Sequence, residues 1–408
     1  ERDTSLGDLS FPFATYRPCQ EDMAETVDRT IRAGGRSFIQ AATGIGKTMA
    51  VLFPAVKTIA DGGSEKIFYL TARTTGRLAA EKALDELRTR GLRLKRLTLT
   101  AKEKICFTPD GACNPEECDY ARGHFDRLPE ARCAMFQDDA WTREAVSAAA
   151  RRFRVCPFEF SLDLSLWADA VIADYNYAFD PQAYLRRFFL EETAAYTFLV
   201  DEAHNLVERA REMFSAELGK QPVLDLRRAV KDALPALYRR LGRINRWMLA
   251  ARKRCEETAA PIADRAPPEE LLPLLREFLQ AAEQWLEKNV RSPFREALLE
   301  FYFASGNFLR VADQFDEAYA TCTEALPHDL RLRLFCIDPS RQIGEAINRC
   351  RSAVFFSATL APMDYFKTML GCDRADDLVL PSPFPAENLG VFVCDRVSTL
   401  YRHRDRTK

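Results

Sequence analysis

Short apolar runs alternate with segments of helical periodicity along much of the chain. Strands that alternate with helices in this way are typical of a parallel sheet covered by helices on both faces. The pattern therefore predicts an α/β protein with a doubly wound parallel sheet. The runs that predict buried strands are 38–40, 66–70, 96–100, 170–173, 197–200 and 354–356.

This alternation is interrupted twice. Residues 106–156 combine turn residues, short helical stretches and several cysteines, and residues 206–345 show mainly helical periodicity. Beyond a proline-rich linker near 381, Val391-Phe392-Val393 predicts the first strand of a further domain. The predicted divisions are a first α/β domain (12–105, 157–205 and 346–385), a cysteine-containing insertion (106–156), a helical insertion (206–345) and the start of another domain (386–408).

A phosphate-binding loop is predicted between the first strand and the next helix. Glycines permit a tight turn whose backbone N–H groups face the phosphates, a lysine contacts the outer phosphates, and a hydroxyl holds magnesium. Ala41 stands where the usual pattern has glycine. The predicted ATP-binding residues of this loop are Thr43, Gly44, Ile45, Gly46, Lys47 and Thr48.

A second set of candidate residues follows the predicted strand at 197–200. Asp201 can hold Mg²⁺, and Glu202 can orient and deprotonate the water that attacks the γ-phosphate. His204 would couple the nucleotide state to neighbouring segments. Two acids after a strand can also simply cap a helix, but the phosphate loop favours the catalytic interpretation. Ser357-Ala358-Thr359, after another strand, supplies hydroxyls that can link the hydrolysis site to a nucleic-acid groove.

Two further segments have both a functional and an ordinary interpretation. Gln20, in an Arg-Pro-x-Gln pattern shortly before the phosphate loop, can contact the adenine edge of ATP or can cap a helix. The residues Thr71-Ala72-Arg73-Thr74 follow a predicted strand and can contact the phosphates of a single strand. They can equally be part of a solvated loop.

The spacing of cysteines in the first insertion points to a metal site. Cys106, Cys113 and Cys118 lie close together in the sequence, so a fourth ligand must come from far along the chain. This spacing suits an iron-sulfur cluster better than a zinc ribbon, which usually has two C-x2-C pairs. Zinc and ordinary buried thiols remain alternatives. Metal-thiolate bonds would stabilise a segment with little apolar content of its own.

Composition limits the class of protein. The 408 residues are 47% hydrophobic with a formal net charge of -2, so any nucleic-acid surface must be local. No apolar run reaches the ~20 residues of a membrane helix. Twelve scattered cysteines favour a reducing, cytoplasmic environment. Because residue 1 is Glu rather than Met, we expect the chain to be part of a longer polypeptide.

Charged and aromatic residues near the first insertion are candidates for binding single-stranded nucleic acid. Lysine and arginine can bind its phosphate backbone, and aromatic rings can stack against its bases. Each charge can also belong to a solvated helix face. The basic candidates are Arg93, Lys95, Arg96, Lys102, Lys104, Arg151, Arg152 and Arg154, and the aromatic ones are Phe107, Tyr120, Phe125 and Phe153.

The motif order A-x-T-G-x-G-K-T, D-E-A-H and S-A-T resembles that of superfamily 2 helicases. The resemblance is closer still to the XPD/DinG family of iron-sulfur helicases. It rests on the segment 168–177 (ADAVIADYNY), on Asp180-Pro181, on the cysteine insertion and on Cys156-Pro157-Phe158. It implies a RecA-like first motor domain, an Arch-like helical insertion, and a chain that ends before most of a second motor domain.

The same resemblance implies the cofactors and ligands. It places a 4Fe-4S cluster on Cys106, Cys113, Cys118 and Cys156 and leaves Cys133 to packing. ATP and Mg²⁺ complete the cofactors, with Thr48 and Asp201 as magnesium ligands and Lys47, Asp201 and Glu202 as catalytic residues.

The activity implied is a monomeric, ATP-dependent DNA helicase of repair or replication. It would move 5′ to 3′ on single-stranded DNA, with DNA junctions as substrates and no membrane contact. One alternative is an ATP-driven translocase or remodeller with a zinc module and no strand separation. Another is a binding module in which nucleotide is only a switch.

Overall fold

A computed structural model of the protein describes residues 2–109, 113–183, 185–189, 195–258, 260–288, 291–388, 390–393 and 400. The strands are β1 (Arg36–Gln40), β2 (Lys66–Leu70), β3 (Arg96–Thr98), β4 (Ala140–Trp141), β5 (Ala170–Ala173), β6 (Tyr196–Asp201), β7 (Ala216–Gly219), β8 (Ile262–Asp264), β9 (Tyr319–Leu326), β10 (Asp329–Cys336), β11 (Ser352–Ser357) and β12 (Asp376–Val379). The α-helices are α1 (Arg2–Gly7), α2 (Gln20–Ala33), α3 (Lys47–Ala60), α4 (Thr74–Thr89), α5 (Lys102–Ile105), α6 (His124–Met135), α7 (Arg143–Phe153), α8 (Pro157–Ser165), α9 (Asn176–Phe179), α10 (Arg186–Phe189), α11 (Leu206–Met213), α12 (Lys220–Ala229), α13 (Pro235–Thr258), α14 (Leu271–Leu286), α15 (Arg295–Ala312), α16 (Ser340–Ile347) and α17 (Met363–Met369).

The large sheet is parallel and has the strand order β12-β1-β11-β6-β2-β5-β3-β4. It contains all six strands predicted from the apolar runs, which confirms the α/β, RecA-like fold class. Strand β11 lies between β1 and β6. Parallel strands end at the same edge of a sheet, so the segments that follow β1, β6 and β11 are brought together there.

Most strands of the sheet are buried on both faces by alternate residues, whereas the edge strand β12 is largely exposed. Phe38 and Phe355 stack with ring centroids 4.6 Å apart on the face that continues into the insertions. Ile39 and Phe356 point to the other face, where helices α2, α3 and α4 contribute to the core. This two-sided burial explains why the strands read as continuous apolar runs rather than as alternating ones.

The first insertion is attached to the edge of the sheet. Strand β4 pairs in parallel with β3, although Ala140 and Trp141 fall inside the predicted insertion. The Trp141 side chain is fully buried and its Nε1 donates hydrogen bonds to the carbonyls of Met135 and Asp138, at 2.9 and 3.0 Å. Helices α6 and α7 are thereby fixed to the sheet rather than held on a flexible arm.

The second insertion is helical over most of its length, as expected, and also contains an antiparallel sheet that the sequence analysis did not predict. The strand order of this sheet is β7-β10-β9-β8. Leu330, Leu332 and Leu334 are buried and alternate with Arg331 and Arg333. This alternation of period two was present in the sequence, but the abundant helical periodicity around it obscured the signal.

The end of the described chain differs from the expectation. Strand β12, which was not predicted, pairs in parallel with β1 at the edge of the sheet. Val391, Phe392 and Val393 are 76%, 94% and 89% exposed and form no regular structure, so the strand predicted there is not found. Residues 394–399 and 401–408 of the expected further domain lie outside the described residues. Among the helices described, none combines the length and apolar character needed to span a membrane.

Candidate nucleotide and nucleic-acid site

The predicted phosphate loop has the backbone that phosphate binding requires. Gly44 and Gly46 adopt φ values of 87° and 86°, a region that side chains with a Cβ rarely occupy. The Ala41 N–H donates to the Ser357 carbonyl at 2.9 Å, which fixes the start of the loop against β11. Ile45 is buried in the core and anchors the loop, whereas Thr43 lies exposed at its tip.

Lys47 is held inside this loop. Its Nζ donates to the carbonyls of Ala41 and Ala42 at 3.1 and 3.2 Å. Burial lowers the pKa of Lys47, and the carboxylates of Glu202 and Asp201 oppose that shift. The ammonium is therefore positioned where phosphate oxygens can replace the two carbonyls.

Gln20 lies beside the phosphate loop and contacts its backbone. The Gln20 Nε2 donates to the Gly46 carbonyl at 3.1 Å, and its Oε1 accepts from the Arg17 N–H at 3.0 Å. The Arg17 guanidinium donates to the Gly44 carbonyl at 2.8 Å. These bonds fix the position of the loop relative to α2, and the contact with adenine remains a prediction.

Asp201 lies at the end of β6, close to the start of α3. The buried Tyr69 hydroxyl donates to Asp201 Oδ2 at 3.0 Å and also hydrogen-bonds to the Thr48 side chain. Burial raises the pKa of Asp201 to about 6, although the hydrogen bond from Tyr69 and the charge of Lys47 act in the opposite direction. Asp201 and Thr48, the two predicted magnesium ligands, are thus brought together around one tyrosine hydroxyl.

Glu202 is linked to the S-A-T segment through Ser357. The Ser357 hydroxyl donates to Glu202 Oε2 at 3.1 Å, and His204 Nδ1 lies 2.6 Å from the same hydroxyl and 3.3 Å from Glu202 Oε2. Burial lowers the pKa of His204. The neutral ring can then donate from Nδ1 to Ser357, and these three side chains form one connected network.

Tyr175 supports this acidic segment and was not predicted as a site residue. Its hydroxyl donates to the carbonyl of Asp201 and, at 3.0 Å, to that of Glu202. Glu202 has a φ of 51°, a left-handed conformation that is unfavourable for a residue with a side chain. The bonds from Tyr175 hold the backbone in that conformation.

A groove of about 520 Å³ lies at the carboxyl ends of β2, β3 and β5. It contains the predicted segment Thr71–Thr74 together with Arg77, Lys102 and Lys104, so cationic and hydroxyl groups face the same space. Tyr177 and Gln182 line it as well. Such a groove fits the backbone of a single strand.

Three of the predicted strand-binding cations are engaged elsewhere. Arg93 and Lys95 both form 2.8 Å ion pairs with Asp139, and Arg96 is 6% exposed and pairs with Asp85 at 2.7 Å. These ion pairs stabilise the sheet edge and the first insertion, and contact of these residues with a single strand stays a prediction. The sequence could not reveal this role because their acidic partners are distant along the chain.

Of the remaining charged and aromatic candidates, Lys102, Phe107, Tyr120 and Phe125 line the same cavity as the thiols of the first insertion. The Arg151 guanidinium lies 3.9 Å from the centroid of the Phe107 ring, and Arg154 pairs with Asp119 at 3.8 Å. Phe125 is 81% exposed. This exposed aromatic ring is the one most available to a base.

The predicted cluster ligands line one cavity of about 230 Å³. Thr108 Oγ1 lies 3.9 Å from Cys106 Sγ and 3.7 Å from Cys118 Sγ, and the Lys102 side chain hydrogen-bonds to Cys113. The walls of the cavity include aromatic rings, such as that of Phe107. The cysteines that line this cavity are Cys106, Cys113, Cys118 and Cys156.

These thiols form a donor set that fits an iron-sulfur cluster. Four thiolates and a largely apolar wall match the ligands and surroundings of such clusters. Cys133 lies on α6 and does not line the cavity, and its exposure shows that the packing role expected for it is wrong. Among the described residues, no three cysteine, histidine or acidic side chains form a site for a single metal ion.

Comparison with known proteins agrees with the motif order. The DEAD_2 family matches residues 89–223. The human regulator of telomere elongation helicase 1 is 22% identical over 264 residues, which are 52% of this chain and 21% of that protein. The Caenorhabditis elegans homologue is 26% identical over 261 residues, 52% of this chain and 25% of that protein. The chain therefore spans about a fifth to a quarter of the length of these relatives.

Solved structures support the fold. An XPD helicase structure has a TM-score of 0.56 and 16% identity, covering 90% of this chain and 62% of that one. A truncated XPD has a TM-score of 0.53 and 16% identity, covering 89% of this chain and all of that one. The fold and site define a RecA-like motor domain with a phosphate loop and a D-E-A-H box. In sequence and fold the chain resembles the XPD/DinG-like superfamily 2 helicases.

Proposed function

We propose that the protein acts as an ATP-dependent DNA helicase that moves 5′ to 3′ on single-stranded DNA and unwinds duplexes during repair or replication. The observation that carries this proposal is the meeting of the phosphate loop, the D-E-A-H box and the S-A-T segment at one edge of the sheet, beside a cationic groove. The polarity and the DNA repair or replication role rest on the family resemblance.

ATP binding would begin with an exchange of partners at Lys47. The ammonium leaves the carbonyls of Ala41 and Ala42 for the β- and γ-phosphates, while backbone N–H groups of the loop contact the other phosphate oxygens. Thr48 and Asp201 would hold Mg²⁺, which neutralises charge that develops on the phosphates. Glu202 orients the attacking water and accepts its proton.

The bonded network of Ser357 provides a route from hydrolysis to movement. When Glu202 turns toward the attacking water, it must weaken its bond with Ser357, and His204 must then shift as well. Ser357 ends β11, and Thr359 follows with its N–H donating to Ser357 Oγ at 3.3 Å. A change in these bonds therefore displaces the S-A-T segment in step with the nucleotide state.

Cys106, Cys113, Cys118 and Cys156 would hold a 4Fe-4S cluster whose bonds to the thiolates stabilise the first insertion. The insertion is fixed to the sheet through Trp141, so a rigid body beside the groove can separate the strands of a duplex. Single-stranded DNA and DNA junctions are the proposed partners, and we expect a cytoplasmic monomer. A zinc-containing translocase without strand separation is the main alternative.

Strand displacement by the full-length protein tests this function. Duplexes with either a 5′ or a 3′ single-stranded tail are mixed with ATP and Mg²⁺, and Lys47→Ala is the matched control. We expect unwinding from the 5′ tail and a loss of at least about a hundredfold in Lys47→Ala, since the loop lysine stabilises the transferring phosphate. Unwinding from the 3′ tail alone would contradict the assigned polarity.

A further inference from the structure

We propose that Phe303, on helix α15 of the second insertion, stacks on a base of a single strand that leaves the groove lined by Thr71–Thr74, called the motor groove below. This inference rests on the proposed function and assigns to it a contact on a different part of the chain. It starts from the exposure of Phe303, which at 65% is high for a phenylalanine. The neighbouring Tyr302 ring meets it edge to face, with centroids 5.5 Å apart, and holds its orientation.

The face of α15 that carries Phe303 borders a surface cavity, called the hollow below. Residues 303, 306, 307 and 310 recur at helical spacing and line a cavity of about 290 Å³. Arg310 donates to Asn307 Oδ1 at 2.6 Å, so a cation and a fixed amide lie one to two turns beyond the aromatic ring. An aromatic ring, an amide and a guanidinium around one hollow suit a nucleotide, with its base on the ring and its phosphate near the cation.

Gly306 forms the floor of this hollow. Glycine in a helix interior is less stable than alanine because it has more backbone freedom in the unfolded chain. A Cβ at Gly306 would meet no other atom within 4 Å, so packing does not require glycine here. Glycine at position 306 would allow a ligand to approach the helix backbone closely.

The hollow lies next to the motor groove. Gln182 lines both the groove that contains Thr71–Thr74 and the cavity beneath Phe303. A strand bound along Arg73, Arg77 and Lys102 therefore passes Gln182 and reaches Phe303 next. The α15 hollow then takes one base out of the stack of the leaving strand.

Binding of full-length protein to oligonucleotides tests this contact. Fluorescence anisotropy with unmodified single strands is compared with the same strands in which the bases are replaced one at a time by an abasic site. Loss of a stacked base weakens binding by roughly 5- to 100-fold. We expect Phe303→Ala to weaken binding to the unmodified strand by a similar factor, and Phe303→Trp to retain it.

The decisive comparison combines the two changes. If Phe303 stacks on a base, one abasic position will weaken the wild type but cause little further loss in Phe303→Ala, because the same contact is already absent. If the losses of affinity caused by the abasic site and by Phe303→Ala add fully at every position of the strand, the assignment of Phe303 is overturned. Binding of single strands by the wild type would still leave the proposed function in place. Failure of the wild type to bind any single strand would overturn both.

Gly306 supplies an independent test. Gly306→Ala should raise the melting temperature, and Gly306→Leu should fill the hollow and weaken single-strand binding without lowering the melting temperature below that of the wild type. Ala297→Leu is the control, because Ala297 is an exposed position of the same helix outside the hollow. Equal binding by Gly306→Leu and Ala297→Leu would contradict the proposal.

Discussion

Two buried tyrosine hydroxyls hold the acidic end of β6 in place. Tyr69 contacts the carboxylate of Asp201, and Tyr175 contacts the carbonyls of Asp201 and Glu202. Tyr69 could not be identified from the sequence, since it reads as one more apolar position of a buried strand. Tyr175 lies in a segment that supports the family resemblance, but its role depends on two carbonyls that only the fold brings near it.

Asp201 is predicted to destabilise the nucleotide-free protein at neutral pH. Its pKa in the folded protein is raised to about 6 from 3.8, so the folded state binds the proton more tightly than the unfolded state. The destabilisation develops as pH rises through this interval and is complete above about pH 7, at a cost on the order of 3 kcal/mol. We expect Asp201→Asn to unfold at higher denaturant concentration than the wild type at pH 8, with most of the difference lost near pH 4.

Chemical denaturation without Mg²⁺ or nucleotide provides this measurement, because either ligand would stabilise the folded state by binding. Asp364→Asn, at an exposed position of α17, controls for the loss of one negative charge. A difference between wild type and Asp201→Asn that stays constant from about pH 4 to 8 would contradict the predicted titration.

At the scale of elements, the proposed cluster predicts that the first insertion depends on its cavity cysteines for stability. Cys113→Ser should abolish the visible absorption and bound iron of protein purified without oxygen, and should make residues 106–156 sensitive to proteases. Cys133→Ser should retain both properties, because Cys133 lies outside the cavity. Wild-type protein that is colourless and contains zinc would contradict the proposed cluster and favour the zinc alternative.

Six strands of the large sheet were predictable because they are buried on both faces and form apolar runs. Strands β4 and β12 were not predictable, since they lie at the two edges and are short. Strands β9 and β10 carried a signal of period two that the flanking helical periodicity obscured. For the site, the motif residues could be named from the sequence, whereas the ion pairs of Arg93, Lys95 and Arg96 depend on partners that only the folded chain brings together.

At the scale of the whole molecule, Ser357 connects the hydrolysis site with the end of a central strand. We expect Ser357→Ala to reduce ATPase activity stimulated by single-stranded DNA by about ten- to a hundredfold, because it removes the hydroxyl that links Glu202 and His204 to the end of β11. Ser352→Ala is the matched control on the same strand, where the Ser352 hydroxyl contacts that of Thr197 at 2.9 Å, at the opposite end. If single-stranded DNA stimulates the ATPase activity of Ser357→Ala and Ser352→Ala equally, this role of Ser357 is contradicted.

The position of β11 has a consequence for biosynthesis. Strand β1 pairs with β11 and β12, and both of these strands follow the second insertion in the chain. As a ribosome adds residues from the amino terminus, β1 emerges early but has no partner until about three hundred more residues have been made, which takes roughly 15 to 60 seconds. During that time its apolar side chains require shelter, so we expect the nascent chain to engage chaperones until residue 357 has left the exit tunnel.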